Sequence, residues 1–79
     1  MSAEPTVIDL RGLKCPLPAL RTRKALAALA PGDILTVACT DPLAAIDIPA
    51  LVAQSGDALE ATRAEQSATT FRIRKRQAV

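Results

Sequence analysis

Apolar and polar positions alternate first over a short stretch: Val7, Ile8 and Leu10 flank a single Asp9, which predicts a strand over about 7–10. Arg11-Gly12-Leu13-Lys14 predicts the turn that ends it. Pro16 and Pro18 follow. Proline is tolerated in the first turn of a helix, where its missing N–H would lack a partner anyway, so a helix is predicted from Pro16 to about Ala30, closed by Pro31-Gly32. On a wheel, Ala19, Leu20, Leu26, Ala27, Leu29 and Ala30 spread over a broad apolar half that also holds Arg23. Leu17, Arg21 and Lys24 share the other half, which puts Leu17 in water.

Asp33 to Thr40 predicts a second strand, with Leu35, Val37 and Cys39 on one face and Ile34, Thr36 and Ala38 on the other. Both faces are apolar enough for an interior strand. Asp41-Pro42 is a turn or a helix opening, and Asp47-Ile48-Pro49 repeats that signal; the second helix is placed from about Asp47 to Gly56, with 43–46 left unassigned. Asp57 to Glu65 and Thr69 to Arg76 then predict a hairpin. In its last strand Phe71 and Ile73 point one way, and Thr70, Arg72, Arg74 and Arg76 the other. A right-handed crossover makes the first two strands parallel. The predicted class is α+β: a two-layer α/β sandwich, βαβαββ, with a four-stranded mixed sheet and two helices on one face.

Composition narrows this further. The 79 residues predict one domain over 1–79 with its core at about 7–76, and Met1 to Pro5 and Gln77 to Val79 are expected to fray. A chain of this length hides only about 60% of its surface on folding. Phe71 is the only aromatic, so the core must be built from Leu, Ile, Val and Ala. With no histidine and two cysteines, zinc sites and Ser-His or Cys-His dyads are discounted, and no glycine-rich stretch forms a P-loop or dinucleotide turn. The longest apolar run, Ala25 to Ala30, is too short for a bilayer, and Met1 to Val7 lacks the layout of a signal peptide. A cytoplasmic protein without a membrane partner is expected.

The formal net charge is only +2, yet Arg72, Arg74, Lys75 and Arg76 fall within five residues. The Arg72/Arg74/Arg76 face reads either as a solvated strand surface that discourages edge pairing or as a docking surface for an acidic protein or RNA. No exposed aromatic is available to stack bases, so direct nucleic-acid binding is not expected.

Cys15 carries the candidate chemistry. Pro16 pushes it out of the helical region, which predicts Cys15 as the N-cap of the first helix with its sulfur on the helix N-terminus. There the helix dipole and neighbouring Lys14 would favour thiolate and lower the thiol pKa. Pro16 and Pro18 leave Leu17 and Ala19 to supply the nearby amides. The other reading of Cys15 is a small, half-buried cap, and residue type alone leaves both open. Cys39, on the face of Leu35 and Val37, reads as core filler; parallel pairing of the first two strands also admits a Cys15–Cys39 disulfide under oxidation. Asp9, Asp33, Asp41 and Asp47 read as turn and cap residues with no acid/base pair among them.

The run Asp9-Leu10-Arg11-Gly12-Leu13-Lys14-Cys15-Pro16-Leu17-Pro18 resembles the signature of the TusA/SirA-like sulfur-carrier family, which has Cys-Pro-x-Pro at the start of the first helix. Arg23-Lys24, Pro31-Gly32, Asp41-Pro42, Asp47-Ile48-Pro49 and Phe71-Arg72-Ile73-Arg74-Lys75 extend the resemblance over about 7–76. It implies a βαβαββ sandwich and a small cytoplasmic protein whose Cys15 receives sulfur as a persulfide and relays it. The implied donor is a cysteine desulfurase or rhodanese-type protein. The implied acceptor is a protein serving tRNA thiolation, molybdenum-cofactor maturation, sulfur oxidation or selenium metabolism. No metal or organic cofactor is implied.

This chain departs from the family pattern in having Leu17 where many relatives carry an acidic residue, and Leu51 where some carry a cysteine. An exposed Leu17 beside the sulfur points to an apolar partner surface. An internal resolving thiol would have to be Cys39.

The leading expectation is therefore a sulfurtransferase or sulfur carrier, working as a monomer, in which Cys15 is catalytic. Lys14, Pro16 and Pro18 support it, and Leu17, Arg72, Arg74 and Arg76 meet partners. The alternatives are a non-catalytic module docking through the arginine face, and a thiol-disulfide protein using Cys15 and Cys39, which lacks Cys-x-x-Cys spacing.

Overall fold

The alternation in Ile34–Cys39 organises the molecule. Leu35, Val37 and Cys39 are fully buried, while Ile34, Thr36 and Ala38 are only half-buried on the other side of the same strand. In the computed structural model, which describes residues 6–76, the elements run β1 (Thr6–Leu10), α1 (Leu17–Ala27), β2 (Ile34–Cys39), α2 (Ala44–Ser55), β3 (Ala58–Ala64) and β4 (Thr69–Arg74). The ends expected to fray lie outside the described residues. The sheet order is β1-β2-β4-β3, with β1 parallel to β2 and β2 antiparallel to β4.

Register then assembles the core. Ile8 and Leu10 pair with Val37 and Cys39, while Ile73 and Phe71 pair with Leu35 and Val37, so these side chains gather on one sheet face. Leu26 from α1 and Ala44, Ile48 and Val52 from α2 pack onto that face in one cluster. The α+β sandwich with both helices on one face is the architecture the pattern predicts.

The helices differ in detail from their sequence reading. α1 is shorter than the predicted 16–30, and its buried line is Pro18, Thr22 and Leu26, at successive i+4 positions. Leu20, assigned to the apolar half, is 53% exposed, whereas Leu17 at 44% stands in water as expected. The stripe was misplaced because alanine marks a face weakly and a buried threonine counts against one.

Thr22 has no exposed surface, and its hydroxyl has no hydrogen-bond partner. A buried, unpaired hydroxyl costs about 1–3 kcal/mol, so the near-isosteric Thr22→Val is expected to stabilise the fold by about 1 kcal/mol. In a domain of this size that raises Tm by about 4–8 °C. A thermal melt with an unchanged or lower Tm would contradict this.

α2 begins at Ala44 and not near Asp47. The Asp41 carboxylate accepts the Leu43 N–H at 3.0 Å, supporting the helix entrance from outside. Pro49 therefore lies inside the helix, a position proline normally disfavours. Burial of Ile48, Leu51 and Val52 against the core offsets that cost. Gly56 ends the helix with a φ of 83°, the left-handed cap the sequence anticipates.

The hairpin is also trimmed, to Ala58–Ala64 and Thr69–Arg74. A register shift between Leu59 and Ala61 inserts Glu60 as an extra residue opposite β4.

Candidate functional site

Two loops at one end of the sheet are tied together before any side chain chemistry is added. Arg11 and Gly12 form the turn after β1, with Gly12 at a φ of 86° that excludes most side chains. The Gly12 N–H donates to Thr40 Oγ1 at 2.8 Å, joining the β1–α1 loop to the end of β2. The Cys15 N–H donates to Asp41 Oδ2 at 2.6 Å, and the other oxygen of Asp41 takes the Leu43 N–H. One carboxylate therefore holds the backbone beside Cys15 and the entrance of α2 simultaneously. A shallow depression of about 270 Å³, lined by Gly12, Leu13, Lys14, Thr40, Asp41 and Pro42, lies next to it.

The sulfur itself is exposed, which removes the half-buried cap reading. Cys15 is not the N-cap either. Pro16 holds that position, no side chain caps the helix, and the Leu17 N–H is taken by the Lys14 carbonyl at 2.8 Å. The thiol instead donates to Asp47 Oδ2 at 3.2 Å.

This reverses the expected electrostatics. The hydrogen bond to Asp47 pushes the Cys15 pKa up, desolvation adds to it, and the negative charges of Asp47 and Asp41 act in the same direction. In the free chain these neighbours disfavour the thiolate. Lys14 acts on Asp41, whose carboxyl is held below the usual aspartate range by the N–H groups of Cys15 and Leu43 and then by the Lys14 charge. The sequence reading treated Asp41 and Asp47 as separate turn residues. Their meeting at Cys15 spans separations of 26 and 32 residues, and no local spacing marks it.

The Asp41 clamp has a definite acid limit. Its folded-state pKa lies below the unfolded value near 3.9, so its contribution is complete above that value and is lost as pH falls through the depressed one. In an NMR titration the Cys15 and Leu43 amide signals are expected to move together with a midpoint below about 3.9. A midpoint at or above it would refute the clamp.

Cys39 is 1% exposed and sits in the core, where burial and then the Asp41 charge push its thiol up. Both cysteines are free. The disulfide option is not realised, and a redox pair would need Cys39 to leave the core.

Two of the three arginines read as one strand face stand on it. Arg72 and Arg74 project from the helix-free face of β4, but both donate to Glu60, Arg72 at 3.4 Å. Glu60 follows Leu59, the partner of Ile73, and so stands on the face of both arginines; its pKa is lowered mainly by the Arg74 hydrogen bond. Arg76 lies past the end of β4, with its N–H on Asp57 Oδ1 at 2.8 Å.

The exposed apolar side chains Leu17, Leu43 and Ile46 sit on the segments that hold Cys15, Asp41 and Asp47. Among the described residues there is no cluster of three metal-ligating side chains, and no helix is long and apolar enough to cross a membrane.

Fold and site together define a small α+β thiol protein whose one exposed cysteine is presented on a loop held between two carboxylates. Residues 6–75 match the family described as Sulfurtransferase TusA, and the chain belongs to that family. It is 52% identical over 52 residues to a putative sulfur carrier protein of Neisseria meningitidis, covering 66% of this chain and 70% of the relative. It is 40% identical over 68 residues to the sulfur carrier protein TusA of Allochromatium vinosum, covering 86% of this chain and 90% of that one. The crystal structure of a SirA-like protein from Desulfitobacterium hafniense superposes with a TM-score of 0.79 at 25% identity, over 91% of this chain and 99% of that chain. A sulfur-carrier role follows from this membership, and such a carrier works with protein partners in a sulfur relay.

Proposed function

We propose that the chain accepts sulfane sulfur as a persulfide on Cys15 from a protein donor of the cysteine desulfurase or rhodanese type, and passes it to an acceptor protein in a cytoplasmic relay. The observation that carries this reading is that one of the two thiols is exposed on the Cys-Pro-x-Pro segment while the other is sealed in the core. In the loading step the Cys15 sulfur attacks the outer sulfur of the donor persulfide. A new S–S bond forms on Cys15, the donor S–S bond breaks, and the donor leaves as a thiol; no external oxidant or reductant is needed. Unloading repeats the exchange with an acceptor thiol.

The neighbouring residues fit the supporting roles. Pro18 is buried and anchors the first turn of α1, Pro16 fixes the backbone between it and the sulfur, and the Lys14 carbonyl closes the turn. Leu17 offers an apolar contact beside the sulfur. Two unpaired cysteines suit a reducing compartment.

Incubation with a cysteine desulfurase and free cysteine is expected to add about 32 Da to the intact chain, mapped to the Cys15 peptide. No added mass, or mass found on Cys39, would refute the reading.

A further inference from the structure

The free sulfur has one hydrogen-bond partner, the Asp47 carboxylate at 3.2 Å. Asp47 stands in the first turn of α2, where the helix dipole favours negative charge. Among the described residues no lysine or arginine forms an ion pair with it. Asp41, on the other side of Cys15, is already engaged by two backbone N–H groups and by the Lys14 charge. The charges that raise the sulfur's pKa are Asp47 from α2 and Asp41 from the loop before it, both negative; Lys14, on the sulfur's own loop, forms no ion pair among the described residues, and its charge is felt at Asp41.

A thiol is a poor nucleophile and the thiolate a good one, so this arrangement keeps the sulfur quiet while the chain is alone. We propose that Asp47 is a specificity-determining residue of the carrier: its carboxylate holds the Cys15 sulfur as a thiol in the free chain, and a partner that sets a cation against Asp47 releases it as the nucleophile. The inference rests on Cys15 being the persulfide site.

The fitting partner is a sulfur-bearing protein with a lysine or arginine at the rim of its reactive cysteine and apolar surface to meet Leu17, Leu43 and Ile46. When that cation pairs with Asp47, the thiol proton passes to solvent and the thiolate attacks the outer sulfur of the donor persulfide. The donor S–S bond breaks as the Cys15 S–S bond forms, and the departing donor thiolate takes a proton from solvent. The same carboxylate disfavours the anionic form of a persulfide on Cys15.

The test is alkylation of Cys15 by iodoacetamide in the full chain, followed by peptide mass from neutral to alkaline pH. A tenfold gain in thiolate is offset about threefold by lower intrinsic nucleophilicity. Asp47→Asn, which keeps the shape and removes the charge, is therefore expected to alkylate faster at neutral pH, by about threefold for each tenfold gain in thiolate, with its profile moved to lower pH. Leu43→Lys supplies the cation in place of the partner, since residues four apart on a helix are neighbours and the Asp47 N–H already bonds the Leu43 carbonyl. Leu43 is 56% exposed, so the change does not disturb the core. This variant is expected to react faster in dilute buffer and to return to the wild-type rate near 1 M salt, where screening acts over about 3 Å. If the Asn variant does not fold, Leu43→Lys decides alone.

Either variant tracking the wild-type curve while folded overturns the role of Asp47. Alkylation requires no sulfur donor, so that outcome is separate from a wild-type chain that gains no sulfur mass, which would remove the persulfide reading itself.

Discussion

Cys15→Ser is expected to leave the chain folded and to abolish persulfide loading completely. The side chain is exposed and makes one hydrogen bond, to Asp47, which a serine hydroxyl can also donate. The backbone bond from residue 15 to Asp41 does not depend on the side chain. Circular dichroism and the denaturant midpoint should therefore match wild type, while the mass increase with desulfurase and cysteine disappears. Residual loading on Cys39 would mean that the core opens on the timescale of the assay. Loading elsewhere on the chain would show that the sulfur is not carried at this site.

Phe71→Ala is expected to have the largest effect on stability. Phe71 has no exposed surface and lies in β4 opposite Val37 on one side and Thr62 on the other, at the centre of the face that both helices cover. It is the only aromatic in the chain, so no neighbouring ring can turn to fill the gap. Large-to-small changes of this kind cost about 3–5 kcal/mol, the lost transfer energy plus the cavity. A 79-residue domain has a total of roughly 4–12 kcal/mol. Urea denaturation is expected to show a strongly lowered midpoint or a chain already partly unfolded in buffer. A change under about 1 kcal/mol would imply that the core collapses around the hole far better than close packing allows.

Much of the architecture was legible because its signals are local. The alternation through Leu35, Val37 and Cys39, the glycine at position 56 and the inward pair Phe71 and Ile73 each act within a few residues, and the βαβ crossover has one favoured hand. The misreadings have physical reasons as well. Asp47-Ile48-Pro49 looks like a helix start because proline is costly in an interior turn, yet α2 accepts it and begins at Ala44, held from outside by Asp41. Leu20 was placed in the apolar half, whereas the line that faces the sheet runs through Pro18, Thr22 and Leu26.

Cys15 and its flanking prolines could be singled out from spacing, but the polarity of its surroundings could not. Reading it as the N-cap placed the sulfur on helix amides, whereas Pro16 occupies the cap and carboxylates brought from two later segments surround Cys15. The outward side of Arg72 and Arg74 was legible from strand alternation, but their shared partner was not. Both meet the one carboxylate of Glu60, which stands on their face because Leu59 before it pairs with Ile73, a register that only the folded hairpin fixes.

The burial of Cys39 sets the terms on which a loaded chain can be emptied. With its second sulfur buried beneath the helices, a chain that carries sulfur on Cys15 as proposed has no internal thiol at hand to release it, and is expected to stay loaded until an outside thiol reaches it. How long sulfur is stored is then a property of the receiver, fixed by its concentration and by how well it fits the exposed end of the sheet.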